Sequence, residues 1–234
     1  MIPTFKVLSL LLGYPTAELK EAVPEMGAAL AADGLIDRTA HPGVYRLLDQ
    51  LARRDLYDLQ ERYVLLFDRT RSLSLHLFEH VHGEGRDRGQ AMVDLQTLYA
   101  AHGLEIQVRE LPDYLPLFLE FLATQPLAEA RALLAQPLHV LVALRERLVK
   151  RQSDYAAVLR ALETLAGGEA DADGLSSARA ATDDDPNDLA ALDAAWEEAA
   201  VTFGPADGRG TCSVAEDMVK RMAKRPGSPA PSAT

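Results

Sequence analysis

This sequence predicts an all-α fold: a single-domain helical bundle with a mobile acidic C-terminal region. Three observations point that way. Leucine and alanine dominate while β-branched residues are sparse, which favours helix. Apolar residues recur three and four apart in one segment after another. No stretch alternates apolar and polar residues between hairpin turns, so strands are not expected. With 234 residues, 48% hydrophobic and 25% charged, the chain is long and apolar enough to build a real core. It shows no internal repeat of fixed period.

Phe5, Leu8, Leu11 and Leu12 mark the first helix, and Gly13-Tyr14-Pro15 stops it. Thr16 fits the N-cap of a second helix running to about Ala32, disturbed by Pro24. Val44, Leu47, Leu48 and Leu51 form the stripe of a third. Leu56, Leu59, Tyr63, Leu66 and Phe67 form that of a fourth, with Asp55 near its start. Ser72 is placed to cap a short helix with the stripe Leu73, Leu77 and Val81, which Gly83 ends. Asp87 is placed to cap the next, with Met92, Leu95, Leu98 and Tyr99 inside and Gly103 as its stop.

Pro112 suits the first turn of a helix from Asp113 to about Ala123. That helix is apolar almost all round, so it belongs at the centre or in a contact groove. Pro116 should bend its start. Leu127 to Leu134 is short, between Pro126 and Pro137. A long pattern then runs from Leu138 to Leu165. The organisation read from these signals is a helical domain over 1–165, an acidic linker over 166–188, short helical docking segments over 189–225 and a disordered tail over 226–234.

The net charge is -11 and is unevenly spread. Residues 1–165 hold 22 acids against 18 Lys and Arg, whereas residues 166–234 hold 13 against 6. An acidic chain lacks the positive footprint of a nucleic-acid binder and avoids anionic membrane surfaces. The single cysteine, Cys212, permits no intrachain disulfide, which fits a reducing compartment. The apolar run Val7 to Leu12 is too short to span a bilayer and has no basic flank of a signal peptide. A cytoplasmic protein without stable membrane insertion is expected.

Four segments carry candidate chemistry. His76, Glu79 and His80 form His-x-x-Glu-His, an arrangement in which a helix lets two imidazoles share zinc while the carboxylate polarises its water. The alternative is a polar helix face, and no third ligand is marked. Gly83 to Gly89 resembles a phosphate loop but misses the dinucleotide spacing by one residue and follows a helical pattern. It reads either as a turn braced by Arg–Asp pairs or as a place where His80, Arg86 and Arg88 meet an anionic group or partner. Tyr63, Leu66 and Phe67 share a helix face, as core or as a groove wall for an apolar peptide. Glu110 and Asp113 flank a helix start, as dipole partners or as a negative mouth for a basic peptide.

Several segments together resemble one family. LSLLLGYP at 8–15, YVLLFDRTRSLSLHLFEHVHGEGRDRGQAMVDL at 63–95, ELPDYLPLFLEFL at 110–122 and WEEAAVTFGP at 196–205 are similar to the respiratory nitrate reductase delta subunits. These are the NarJ-type molybdenum-cofactor assembly chaperones of the wider TorD-like group. The resemblance implies a non-enzymatic, system-specific chaperone without a cofactor of its own. It implies binding to the nitrate reductase catalytic (alpha) subunit, including its N-terminal segment, support for molybdenum cofactor insertion and delayed membrane docking. Proteins that deliver the cofactor join the implied partners.

The group's aromatic-x-x-Leu-Phe motif is matched by Tyr63, Leu66 and Phe67. Its Glu-Pro-x-Asp-His-like motif is matched with altered spacing by Glu110, Pro112 and Asp113, with Tyr114 where histidine is common. The expected client-peptide site is therefore Tyr63, Leu66, Phe67, Glu110, Pro112, Asp113, Tyr114 and Phe118. A zinc-dependent hydrolase built on His76, Glu79 and His80, or a generic helical adaptor, are the alternatives.

Overall fold

The computed structural model describes residues 1–81, 86–106, 110–181 and 183, with the side chains of Arg86 and Asp87 outside that description. The expectations for residues 184–234, including the helical docking segments, the tail and Cys212, lie outside the described residues.

The first three helices follow their caps and prolines. Helix α1 (Pro3–Leu11) buries Phe5, Leu8 and Leu11. Thr16 caps α2 (Ala17–Glu21), its hydroxyl accepting the Leu19 amide at 3.2 Å. The single helix expected to reach Ala32 is instead two, α2 and α3 (Val23–Asp33). Pro24 lacks the N–H that would bond back one turn, so it sits in the first turn of a new helix, where none is needed. Gly34 ends α3 in the left-handed region at φ 69°.

Helix α4 (Pro42–Arg53) meets α10 (Ala156–Ala166) at Gly43, where an added Cβ would lie 2.6 Å from the Ala157 Cβ. Asp55 caps α5 (Leu56–Tyr63). The fourth predicted helix does not stay α-helical to its end. Val64–Asp68 is a turn of π-helix, closed by the Arg69 N–H on the Val64 carbonyl at 2.9 Å.

The short helix expected from Ser72 is absent. Arg71–Leu73 and Leu77–His80 are 3₁₀ turns, with extended backbone between them. Leu73, Leu75 and Leu77 are all buried, and so are Ser72, Ser74 and Phe78 beside them, so the segment is enclosed on more than one face. An antiparallel bridge joins His76 to Tyr114, with Leu77 N–H on the Asp113 carbonyl at 3.0 Å and Leu115 N–H on the Leu75 carbonyl at 2.8 Å. This strap therefore lies across the start of the helix that begins at Leu115.

Helix α6 (Arg86–Ala101) begins one residue before the Asp87 proposed as its cap. Helix α7 (Leu115–Thr124) begins two residues later than expected. Pro116 thus falls in its first turn and disrupts no bond. The Pro112 carbonyl accepts the Tyr99 hydroxyl at 2.8 Å instead. Leu115, Phe118, Leu119 and Leu122 are fully buried, so α7 is the core helix, packed on α1. Phe118 is part of that core and not a groove wall.

Helix α8 (Leu127–Leu134) precedes α9 (Leu138–Lys150), and α9 packs on α10. The long pattern to Leu165 is broken between them at Gln152, whose φ is 52°. Among the described residues no single helix is long and apolar enough to cross a membrane.

The expected linker contains a further helix, α11 (Ala172–Ala180), packed on α9. It is a polar attachment, which an apolar-content argument misses. Asp171 caps it by accepting the Gly174 amide at 2.7 Å. Gly174 lies so near the His139 ring that an added Cβ would be 3.0 Å away. Buried Arg147 donates to the carbonyls of Ser72, Ala178 and Ala181. Asp183 receives Arg151 at 2.7 Å and Lys150 at 3.4 Å. The part of 166–188 expected to be mobile is thus helical over 172–180.

Candidate functional site

The end of α5 and the loop before α7 meet across a small cleft of about 230 Å³, bordered also by Tyr14 and by the strap. Tyr63 forms its floor. The Tyr63 hydroxyl donates to the Leu12 carbonyl at 2.9 Å and lies 3.1 Å from the Tyr114 hydroxyl. A phenol has one proton to give, so Tyr114 is the donor between the two rings. Burial pushes the Tyr63 phenol far above its ordinary value. Burial also raises Tyr114, with the charges of Glu110 and Asp68 adding to it and the Tyr63 bond opposing it.

The floor is held by aromatic contacts. Tyr14 meets Tyr63 edge-on, 5.6 Å between centroids and 89° between planes. Phe67 lies 4.9 Å from Tyr63 and 5.1 Å from Tyr155. Such tilted and edge contacts fix ring positions more sharply than aliphatic packing does. The π turn aims Phe67 into this cluster and leaves Asp68 exposed on the rim. Leu66 is buried beside it. Opposite, Glu110 is exposed and Pro112 and Tyr114 are half-buried.

Asp113 does not form a solvent-facing mouth. It is 0% exposed, and its carboxylate accepts the Phe78 amide at 3.0 Å while facing His76 Nδ1 at 3.2 Å. A buried carboxylate with two donors is a structural clamp, here pinning the strap to α7. Burial alone would lower the His76 imidazole. The Asp113 hydrogen bond and charge, with Glu79 charge, outweigh it and hold His76 above its ordinary value.

The His-x-x-Glu-His residues have separate partners. Glu79 binds Arg88 at 3.0 Å, and His80 Nε2 lies 2.7 Å from the Ser74 carbonyl. Burial holds His80 below its ordinary value. Neither the helical polar face nor the helical zinc geometry exists, since the segment is a 3₁₀ turn. Among the described residues no group of three ligating side chains converges. His80 is turned inward and Arg88 is neutralised by Glu79, so neither offers a free cation to an anionic group. The Arg86 side chain lies outside the described residues.

Of the eight residues expected at the peptide site, the structure brings Tyr63, Phe67, Glu110 and Tyr114 to the cleft. Asp113 and Phe118 lie in the interior and Leu66 and Pro112 beside it. Tyr14, Asp68 and His76 were not assigned to this site by sequence reasoning. Tyr14 and Pro15 read only as a helix stop, and Asp68 follows the aromatic motif by a single residue.

The family model described as the nitrate reductase delta subunit matches residues 15–161. The chain is 44% identical over 210 residues to the nitrate reductase molybdenum cofactor assembly chaperone NarJ of Escherichia coli strain K12, covering 89% of this chain and 88% of that one. It is 41% identical over 198 residues to the probable nitrate reductase molybdenum cofactor assembly chaperone NarW of the same strain, covering 85% and 82%. To the probable chaperone NarJ of Bacillus subtilis strain 168 it is 33% identical over 159 residues, covering 68% and 85%. The matched span takes in the π turn, the strap and the loop before α7 that frame the cleft, and the chain belongs to the nitrate reductase delta subunit family.

Proposed function

We propose that this protein is a non-enzymatic chaperone for nitrate reductase assembly. It binds the catalytic subunit in the cytoplasm, including its N-terminal segment, supports molybdenum cofactor insertion and holds the subunit back from membrane docking until the cofactor is in place. The observation that carries this reading is the similarity to relatives named as molybdenum cofactor assembly chaperones over most of both chains. An aromatic cleft at the junction of two motif segments supports it, since it offers an anchor site for an extended or helical peptide. The encounter would gain from the acidic character of the chain if the client segment is basic.

The test is affinity purification of the tagged full chain from cells that make the enzyme and from cells that lack the catalytic subunit gene. The expected result is recovery of the catalytic subunit, with the proteins that deliver the cofactor, and accumulation of cofactor-free enzyme when the chaperone gene is deleted. Normal cofactor content and membrane attachment in the deletion strain would overturn the proposal.

A further inference from the structure

The cleft has the composition of a site for one organic cation. Two carboxylates, Asp68 and Glu110, stand exposed on its rim from different elements, and both lie close enough to raise the Tyr114 phenol by their charge. Among the described residues neither forms an ion pair. Burial raises the Asp68 carboxyl above its ordinary value. The rings of Tyr14, Tyr63 and Tyr114 line the same cleft, and Tyr14 is 46% exposed.

Size narrows the occupant. About 230 Å³ is smaller than the 300 Å³ or so at which small-molecule and cofactor sites begin. It admits one long side chain rather than the face of a helix. Chemistry narrows it further. A calcium ion takes about six to eight oxygen ligands, and this rim supplies two carboxylates. Aromatic faces beside carboxylates instead suit a lysine or arginine head, which gains from ring quadrupole and charge together.

We propose that the Asp68, Glu110 and Tyr14 cleft is a specificity subsite that receives a single lysine or arginine side chain of the client segment. This rests on the peptide-binding reading above and deepens it. Apolar neighbours of that basic residue would lie against exposed Leu111 and the edge of Tyr14. The subsite then selects among apolar peptides by rejecting those without a cation at this position, because their binding would bury the two rim carboxylates unpaired.

The test uses the full chain and calorimetry with two synthetic peptides. One copies the N-terminal segment of the catalytic subunit. The other has its arginines replaced by citrulline and its lysines by norleucine. The Asp68→Asn/Glu110→Gln double variant should bind the native peptide about tenfold more weakly than wild type and the neutral peptide more tightly than wild type does, since no carboxylate is then buried unpaired. Tyr14→Phe should keep affinity, and Tyr14→Leu should lose it about threefold. Raising the ionic strength should weaken wild-type binding of the native peptide alone, a readout that needs no variant to fold. Unchanged affinity in the double variant, or binding insensitive to salt, overturns the subsite and leaves peptide binding standing. Failure of wild type to bind the native peptide overturns the peptide reading and the subsite with it.

Discussion

The buried carboxylate of Asp113 accepts the backbone amide of Phe78 at 3.0 Å, across 35 residues of sequence. Together with the backbone bridge from His76 to Tyr114, this bond fixes where the strap lies. The strap borders the cleft through Ser74, Leu75 and His76. Replacing Asp113 with alanine removes this hydrogen bond from the interior, at a cost of about 1–3 kcal/mol. Asparagine keeps an acceptor oxygen and should cost less. Urea unfolding of the two variants checks the order, and equal losses would show that the amide bond is not the cause.

The same carboxylate sets the titration of His76. The imidazole is held above its ordinary 6.5 despite burial, by Asp113 and Glu79 and against Arg88. A raised folded value contributes stability that is complete below 6.5 and is lost as pH rises through the folded value. His80, held low by burial, acts in the opposite sense, costing stability as pH falls. Proton NMR should therefore show His76 titrating above 6.5 in wild type and lower in Asp113→Asn. An unmoved His76 titration would refute the coupling.

Arg147 joins three parts of the chain by donating to the carbonyls of Ser72, Ala178 and Ala181. Arg147→Met keeps most of the apolar stem and removes the donors. We expect a loss of about 2–3 kcal/mol. Hydrogen exchange should speed up in α11 and at Ser72–Ser74 together. Faster exchange in α11 alone would mean that the strap is held by other contacts.

Gly43 separates two effects of opposite sign. On helix propensity alone, alanine at this position would stabilise α4 by about 0.5–1 kcal/mol. Steric contact with Ala157 predicts a loss of about 1–3 kcal/mol, since the neighbour is the base of a side chain and cannot swing away. The Gly43→Ala melt decides between them. Adding Ala157→Gly should restore part of the loss, a coupling that independent sites do not show.

Much of the helical frame was legible because its signals are local. The stripe Phe5, Leu8, Leu11, Leu12, the Thr16 cap, Asp55 at the start of α5 and the Gly103 stop each act within a turn or two of helix. The strap was not legible. Leu73, Leu75 and Leu77 offer only three alternating positions, and Leu73, Leu77 and Val81 mimic a helical stripe. The buried role of Asp113 depends on a partner far away in sequence, whereas its position before α7 suggested an ordinary cap. Helix α11 escaped because its attachment rests largely on Arg147 and on Asp183 just beyond its end, with Ala178 as its one buried side chain. At the cleft, Tyr63 and Tyr114 were reached through motif resemblance. Tyr14 and Asp68 join them only through folding.

The π turn at Val64–Asp68 makes the cleft depend on a count of residues as well as on their identities. It accommodates one residue more than an α-helical path would hold. Deleting a single residue there would remove the extra residue and let ordinary helical bonding resume, drawing Phe67 and Asp68 back by one place along the turn. The seating of Phe67 in the aromatic cluster and of Asp68 on the rim would then change with no side chain chemically altered. In this segment an insertion or deletion is therefore the severe lesion, and a sequence comparison that scores only substitutions will overlook it.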